Sequence, residues 1–478
     1  MEDIRPSEGE LKQTFRISII DAVFASVFAA LGPGSMFLTK LLNELGAGPM
    51  VFSAMATIGP VASAFLPLGV AVTKNLTSRK KPVILLAFLG RGIALLIGLA
   101  PLVLYSPVLA IWVIIGLLFV STVLQGLSGN AWTGWIADNV PHEVRGRFFS
   151  VRSQYSMVAA FLAGLLFSIC VDLYDVNPGP VAMRLRSVLA GVEWLSFDNS
   201  TLILAICFVF FAGGVAGLAG ALVLIRQPEK PKEKETEPYL RMLLQPLKDR
   251  NFLKLLGFAM WWMLAVGIGA PFWGPYMLNT LEMSLTEIQL YGLVSTGSAV
   301  AAIRIWGRVI DTWGNKPSMM LAIVLGGINP IIWVWASGPD SRWIIFSEAA
   351  TSGIMWSGAG VITSNFVLAI APTGSRQMYS GLFGAVSGLG AIVTMLGSGI
   401  YLATGPVDIF GWTLHPEQVQ FGLGGLLRWT AIIPLAWVAE PTAKPVGQAI
   451  FALQQFAKVR VAHFMLMFRR KGDPPHGA

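Results

Sequence analysis

The sequence predicts an all-α membrane protein, with twelve transmembrane helices in two pseudo-symmetric six-helix bundles. Three observations carry that expectation. Of 478 residues, 54% are hydrophobic and only 13% charged, with a mean hydropathy of +0.65, whereas soluble domains carry roughly 25% charged residues. Apolar runs of spanning length, about 20 residues each, recur along the chain. A charged, proline-punctuated stretch at 226–238 divides them into two sets and is too hydrophilic to pack a core. This composition excludes a soluble globular enzyme, a collagen-like chain and a small disulfide scaffold.

In order, the expected spans are about 17–41, 48–73, 82–105, 107–137, 148–172 and 201–225, then 253–279, 285–309, 317–337, 342–370, 379–404 and 420–439. Gly and Pro interrupt many of them, as membrane helices allow when neighbours satisfy the freed backbone groups. The first run follows a polar segment, Met1 to Lys12, and is too long for a signal-peptide core, so it reads as a retained helix. The expected units are an N-terminal bundle (1–225), a cytoplasmic linker (226–252), a C-terminal bundle (253–440) and a tail (441–478). The tail mixes Ile450, Phe451, Phe456 and Phe464 with Lys458, Arg460, Arg469 and Arg470, the pattern of an amphipathic helix lying on anionic lipid.

The net charge of +8 matters through its placement. With the N-terminus cytoplasmic, the cytoplasmic segments and helix ends hold nearly all Lys and Arg, including Arg145, Arg147 and Arg152, and the opposite face holds only Lys40, Arg184, Arg186 and Arg342. Both termini are then cytoplasmic. The chain is expected in a membrane of the bacterial inner type. Cys170 and Cys207 lie in apolar runs and read as small buried hydrophobes. The halves also echo each other. Gly59 and Gly69 recur as Gly297 and Gly307, and Pro141 and Arg145 recur as Pro372 and Arg376, each at the matching place in the helix order. That favours an internal duplication.

The turn after span 8 reads Gly307-Arg-Val-Ile-Asp311-Thr-Trp-Gly314-Asn-Lys316. It resembles the G-x-x-x-D-[RK]-x-G-x-[RK] loop of the major facilitator superfamily, departing at Thr312. The equivalent loop after span 2 is degenerate, with Thr73 in place of the acid and Leu76 in place of a glycine. Asp138-Asn-Val-Pro141-His-Glu-Val-Arg145-Gly146-Arg147 is similar to the segment after span 4 in many bacterial members. With the helix count, the resemblance covers about 15–440. Gly307 is expected to permit close packing, Gly314 a tight turn, and Lys316 to face lipid or a partner. Asp311 is expected at the cytoplasmic seam against the N-terminal end of helix 5, near Arg145, with Arg376 in the mirror position.

Charged groups inside spans are costly, by roughly 2.5–3.5 kcal/mol, and five need an account: Asp21, Arg91, Arg304, Glu348 and Arg428. The resemblance places spans 1, 4, 7 and 10 around a central cavity. Asp21 and Glu348 are therefore the expected proton- or cation-coupling groups, unless each pairs with a neighbouring Arg. Arg91 must face inward, either to bind an anionic substrate group or to hold helices together. Span 4 carries Ser121, Gln125, Ser128 and Trp132 on one face, a pattern suited to lining a cavity. Trp262, Trp356 and Asn365 add aromatic and amide groups that suit stacking and orienting a solute.

No P-loop, HExxH, GxSxG or CxxC motif is present, and the four histidines are scattered. The expectation is a secondary active transporter and not an enzyme, without cofactor, monomeric, in the lipid bilayer, and without nucleic acid as partner. It would move a small organic solute by alternating access with proton coupling as the default. Its rivals are efflux of hydrophobic compounds and a non-transporting membrane sensor or chaperone built on a transporter fold.

Overall fold

The computed structural model describes residues 8–65, 78–189, 201–229, 245–372, 376–402, 405–409 and 411–440. The expectations for the degenerate loop at 69–76, most of the linker and the amphipathic tail lie outside them. The first expected span is two helices, α1 (Glu8–Ala29) and α2 (Met36–Glu44). Gly32-Pro33-Gly34 separates them, since Pro33 lacks a backbone donor and Gly34 adopts a φ of +79° that a side chain would resist. Ser35 then caps α2, its hydroxyl accepting from the Leu38 N–H at 3.3 Å.

The N-terminal half continues with α3 (Pro49–Ala64), α4 (Lys80–Val103), α5 (Pro107–Asn139), α6 (His142–Asp172), the short α7 (Pro180–Leu189) and α8 (Leu202–Val223). In the C-terminal half, α9 (Arg250–Gly267) and α10 (Trp273–Asn279) are one apolar run broken by a 3-10 turn at Ala270–Phe272. There follow α11 (Leu285–Trp313), α12 (Asn315–Val334), α13 (Arg342–Ile370), α14 (Arg376–Tyr401), a hairpin of β1 (Val407–Ile409) and β2 (Trp412–Leu414), α15 (Pro416–Thr430) and α16 (Ile432–Ala436). Among the described residues, ten helical segments are long and apolar enough to cross a membrane. The ten include neither α1, which carries Glu8, Glu10, Lys12, Arg16 and Asp21, nor α3, which has 16 residues.

Close packing explains the helix order. Along α8, a Cβ added at Gly213 would strike Leu31, and one at Gly217 would strike Arg91 and Phe28, so these glycines let α8 seat against both α1 and α4. Gly307 does not act this way, because nothing lies within 4 Å of a Cβ added there. Gly314, with a φ of +92°, does make the tight turn between α11 and α12.

Two acids repeat one job in the two halves. Glu229 accepts from the backbone N–H of Arg79 (2.6 Å) and Lys80 (2.8 Å) at the start of α4. Glu440 accepts from those of Asn315 (3.0 Å) and Lys316 (2.7 Å) at the start of α12. Each carboxylate, just beyond the last helix of its half, satisfies donors that a helix start leaves orphaned. Lys316 is correspondingly not directed at lipid or a partner: its ammonium donates to the carbonyls of Ala436 (2.7 Å) and Val438 (2.9 Å) at the end of α16.

The two ends of the molecule differ. At the end carrying the start of α1 and the close of α16, called the near side, each half keeps its own core among the described residues. One is built around Phe252, Trp306 and Phe366, the others around Trp135 and Phe148. At the far side a single apolar cluster runs through both halves, joining Leu38, Leu41 and Phe52 to Phe272, Tyr276, Leu285, Trp333 and Phe421. Polar contacts close the same seam. Asp172, the fully buried last residue of α6, accepts from the N–H groups of Leu285 (2.9 Å) and Thr286 (2.8 Å), so an acid of one half caps helix α11 of the other. Asn43 and Asn279 exchange amide hydrogen bonds of 2.9 and 3.0 Å across it.

Candidate functional site

Each half holds a cluster of buried charge. In the N-terminal cluster, Asp21 from α1 is 2% exposed and lies between two guanidinium groups. Arg91 from α4 approaches its Oδ1 at 2.8 Å and also donates to the Gly217 carbonyl at 3.2 Å. Arg152 from α6 approaches Oδ2 at 3.6 Å, and its guanidinium carbon sits 4.2 Å over the ring of Trp132. Two cations thus share one carboxylate in a protein interior, where an unmatched charge is expensive.

The C-terminal cluster centres on Glu348, 4% exposed on α13. The Tyr291 hydroxyl donates to its Oε2 at 2.7 Å. Arg428, 5% exposed on α15, donates to the Gly326 carbonyl at 3.0 Å and acts on Glu348 through space. Among the described residues no basic group lies within ion-pair distance of Glu348. A carboxylate held by a neutral hydroxyl rather than by a cation can gain or lose a proton without breaking a salt bridge.

The other expected site residues divide. Gln125 belongs to a helix seam: Ser121, Gln125 and Ser128 donate to the α4 carbonyls of Gly90 (2.7 Å), Ala87 (3.2 Å) and Val83 (2.9 Å). That polar face therefore stitches α5 to α4 rather than forming an open wall, because a neighbouring backbone supplies its acceptors. Gln125 and Ser121 do border a cavity of about 310 Å³ inside the N-terminal half, with Phe28 and Phe210. Trp132, at the end of the same face, reaches Arg152 instead. Trp262 is buried and packs edge-on against Trp356 with ring centres 6.2 Å apart, and Trp356 is 41% exposed. Asn365 is half-buried on α13.

Asp311 is exposed at the end of α11 and makes no hydrogen bond or ion pair with other described residues, so it is not brought to Arg145 in this arrangement. Arg145 instead donates to the Val140 carbonyl at 3.1 Å. The expectation for the Arg376 side chain lies outside the described residues. Arg152, Tyr291 and Asp172 were not singled out from the sequence. Arg152 is legible there only as one of the basic residues near the loop after span 4, and Asp172 only as the end of an apolar run.

A family model described as Major Facilitator Superfamily matches residues 17–395. Among solved structures, the nucleoside transporter NupG superposes with a TM-score of 0.64 over 90% of this chain and 98% of that one, at 12% identity. A D-xylose-proton symporter gives a TM-score of 0.62 over 90% of this chain and 98% of that one, at 14% identity. A bacterial homologue of the iron transporter ferroportin in its inward-facing state gives 0.59 over 91% and 100%, at 13% identity. At these identities the likeness is one of fold. No curated protein matches the chain in sequence.

Proposed function

The chain belongs to the Major Facilitator Superfamily, and from that premise we propose that it is a secondary active transporter moving a small organic solute by alternating access. In this reading α1 with α2 forms the first of twelve spans and α3 the second, and residues 1–225 and 253–440 are the two rocking bundles. The near side is the cytoplasmic side, following the Lys and Arg distribution. The observation that carries the reading is the asymmetry of closure. One apolar cluster and the Asp172 cap join the halves at the far end, whereas among the described residues at the near end each half keeps its own core. A rocking transporter must make one such seam and release the other.

Coupling is assigned to Glu348. It is buried and held by the Tyr291 hydroxyl, so that a change in its protonation alters the charge facing Arg428. Asp21 has the lesser claim, because its Oδ1 is committed to Arg91.

The test uses spin-label pairs on each face of the full chain in lipid nanodiscs, with Cys170→Ala and Cys207→Ala as background. Arg147→Cys with Thr312→Cys reports the near side, and Val176→Cys with Asp340→Cys the far side. Two populations that exchange in opposite senses at the two faces are expected. One fixed distance at each face, in all lipids and at all pH values, would refute rocking.

A further inference from the structure

In the N-terminal cluster, three charged side chains sum to one uncompensated positive charge. Arg91 and Arg152 have the same chemistry but different surroundings. Arg91 is 6% exposed and fixed twice, by Asp21 Oδ1 at 2.8 Å and by the Gly217 carbonyl at 3.2 Å. Arg152 is loose. Its contact to Asp21 Oδ2, at 3.6 Å, is longer than a hydrogen bond, and its side chain is 22% exposed. Its Nε, like that of Arg91, is buried without a partner, and the ring it stacks on, Trp132, has an indole Nε1 that is also unpartnered. Among the described residues Asp21 is the one acid within ion-pair reach of Arg152. A buried cation with spare donors, stacked on an aromatic ring whose own donor is also unused, is an incomplete arrangement. An anion would complete it by supplying the missing negative charge and accepting from both N–H groups.

Resting on the transporter reading above, we propose that Arg152 and Trp132 form the substrate-anion subsite, and that Arg91 is a positioning residue that holds Asp21. The ligand class is a small organic monoanion, a carboxylate on a body flat enough to lie along Trp132 and Phe149, whose rings meet edge-on with centres 6.3 Å apart. Asp21 then limits the site to one added negative charge. Two would leave the cluster net negative, and a neutral solute would leave it net positive. Of the two roles expected for Arg91 from the sequence, binding an anionic group or holding helices together, this reading takes the second and gives the first to Arg152.

The experiment is thermal unfolding of the purified full chain in detergent, titrated with benzoate, phenyl phosphate and the neutral isostere benzamide. It needs no transport, so its failure is distinct from failure of the transporter reading. Above neutral pH, where phenyl phosphate is mostly a dianion, benzoate is expected to stabilise saturably while phenyl phosphate and benzamide do not. Arg152→Gln should raise the dissociation constant at least tenfold, with Arg152→Lys recovering part of the loss. It should also leave the unliganded melting temperature unchanged or higher, since it removes an unmatched charge. Arg91→Gln should lower the unliganded melting temperature. The proposal is overturned if benzoate stabilises no more than benzamide or phenyl phosphate, if Arg152→Gln binds as the parent does, or if it lowers the unliganded melting temperature as much as Arg91→Gln.

Discussion

Asp172→Asn isolates the far-side seam. The carboxylate is fully buried and accepts from two backbone N–H groups at 2.9 and 2.8 Å at the start of α11, a helix whose own cap, Ser284, is already in use by Glu287. Hydrogen bonds to a charged group contribute about 1.5–3 kcal/mol each, and a favourable anion at a helix N-terminus up to about 2 kcal/mol. Asparagine keeps one neutral acceptor but turns an NH₂ toward the second N–H. The far-closed arrangement should therefore lose about 2–3 kcal/mol relative to one in which the halves have parted and both groups are hydrated. That is a change of about 30- to 150-fold in the closed-to-open ratio, enough to take a closed population of about 99% down to about 40–75%. The far-side label pair at Val176 and Asp340 reads this as a second, longer distance, with matching shortening at the near-side pair. An unchanged distance distribution in Asp172→Asn would refute the assignment of Asp172 as an element of the closed seam.

Other consequences follow from the same contacts. Glu348→Gln should abolish proton-driven accumulation while leaving solute exchange across proteoliposomes intact, whereas loss of both would make Glu348 a binding or scaffold group. Arg91→Gln leaves Asp21 buried with only the loose Arg152, and should destabilise by about 3–5 kcal/mol, with Asp21→Asn in the same chain recovering part of the loss; chemical denaturation in detergent measures it. Glu229→Ala and Glu440→Ala should each destabilise by about 0.5–2 kcal/mol, since each removes the acceptor for the first N–H groups of α4 or α12. Equal melting temperatures for parent and variants would show that water replaces those caps at no cost.

The spanning helices were legible because apolar length survives into the structure, and two of their interruptions have a cause visible in the residues, Pro33 with the positive φ of Gly34 and Pro271 in the turn at Ala270–Phe272. Asp21, Arg91, Glu348 and Arg428 were legible as anomalies, being charges within apolar runs. Their partners were not, because pairing depends on which helices lie side by side: Asp21 and Arg91 are 70 positions apart. The Ser121, Gln125 and Ser128 face was legible in part: Ser121 and Gln125 border a cavity, but the hydrogen bonds of all three go to the carbonyls of α4. A polar stripe looks the same whether it meets water or the carbonyls of a neighbouring helix, and periodicity cannot tell them apart. Arg152 was hidden in a run of loop cations. Because α6 already begins at His142, Arg152 lies about 15 Å into the helix, level with Asp21 rather than with the surface. Lys316 deceived in the opposite way, an apparently free cation that ties α12 to the end of α16.

The most direct test of transport itself is solute retention. The full chain is reconstituted into liposomes with an imposed proton gradient and a mixture of organic anions, sugars, amines and nucleosides outside. The vesicle contents are then read by mass spectrometry against protein-free vesicles. At least one solute, an organic anion, should accumulate above its external concentration, with the accumulation collapsing on addition of a protonophore. Contents indistinguishable from protein-free vesicles for every class, under gradients of either sign, would contradict the claim that this fold transports.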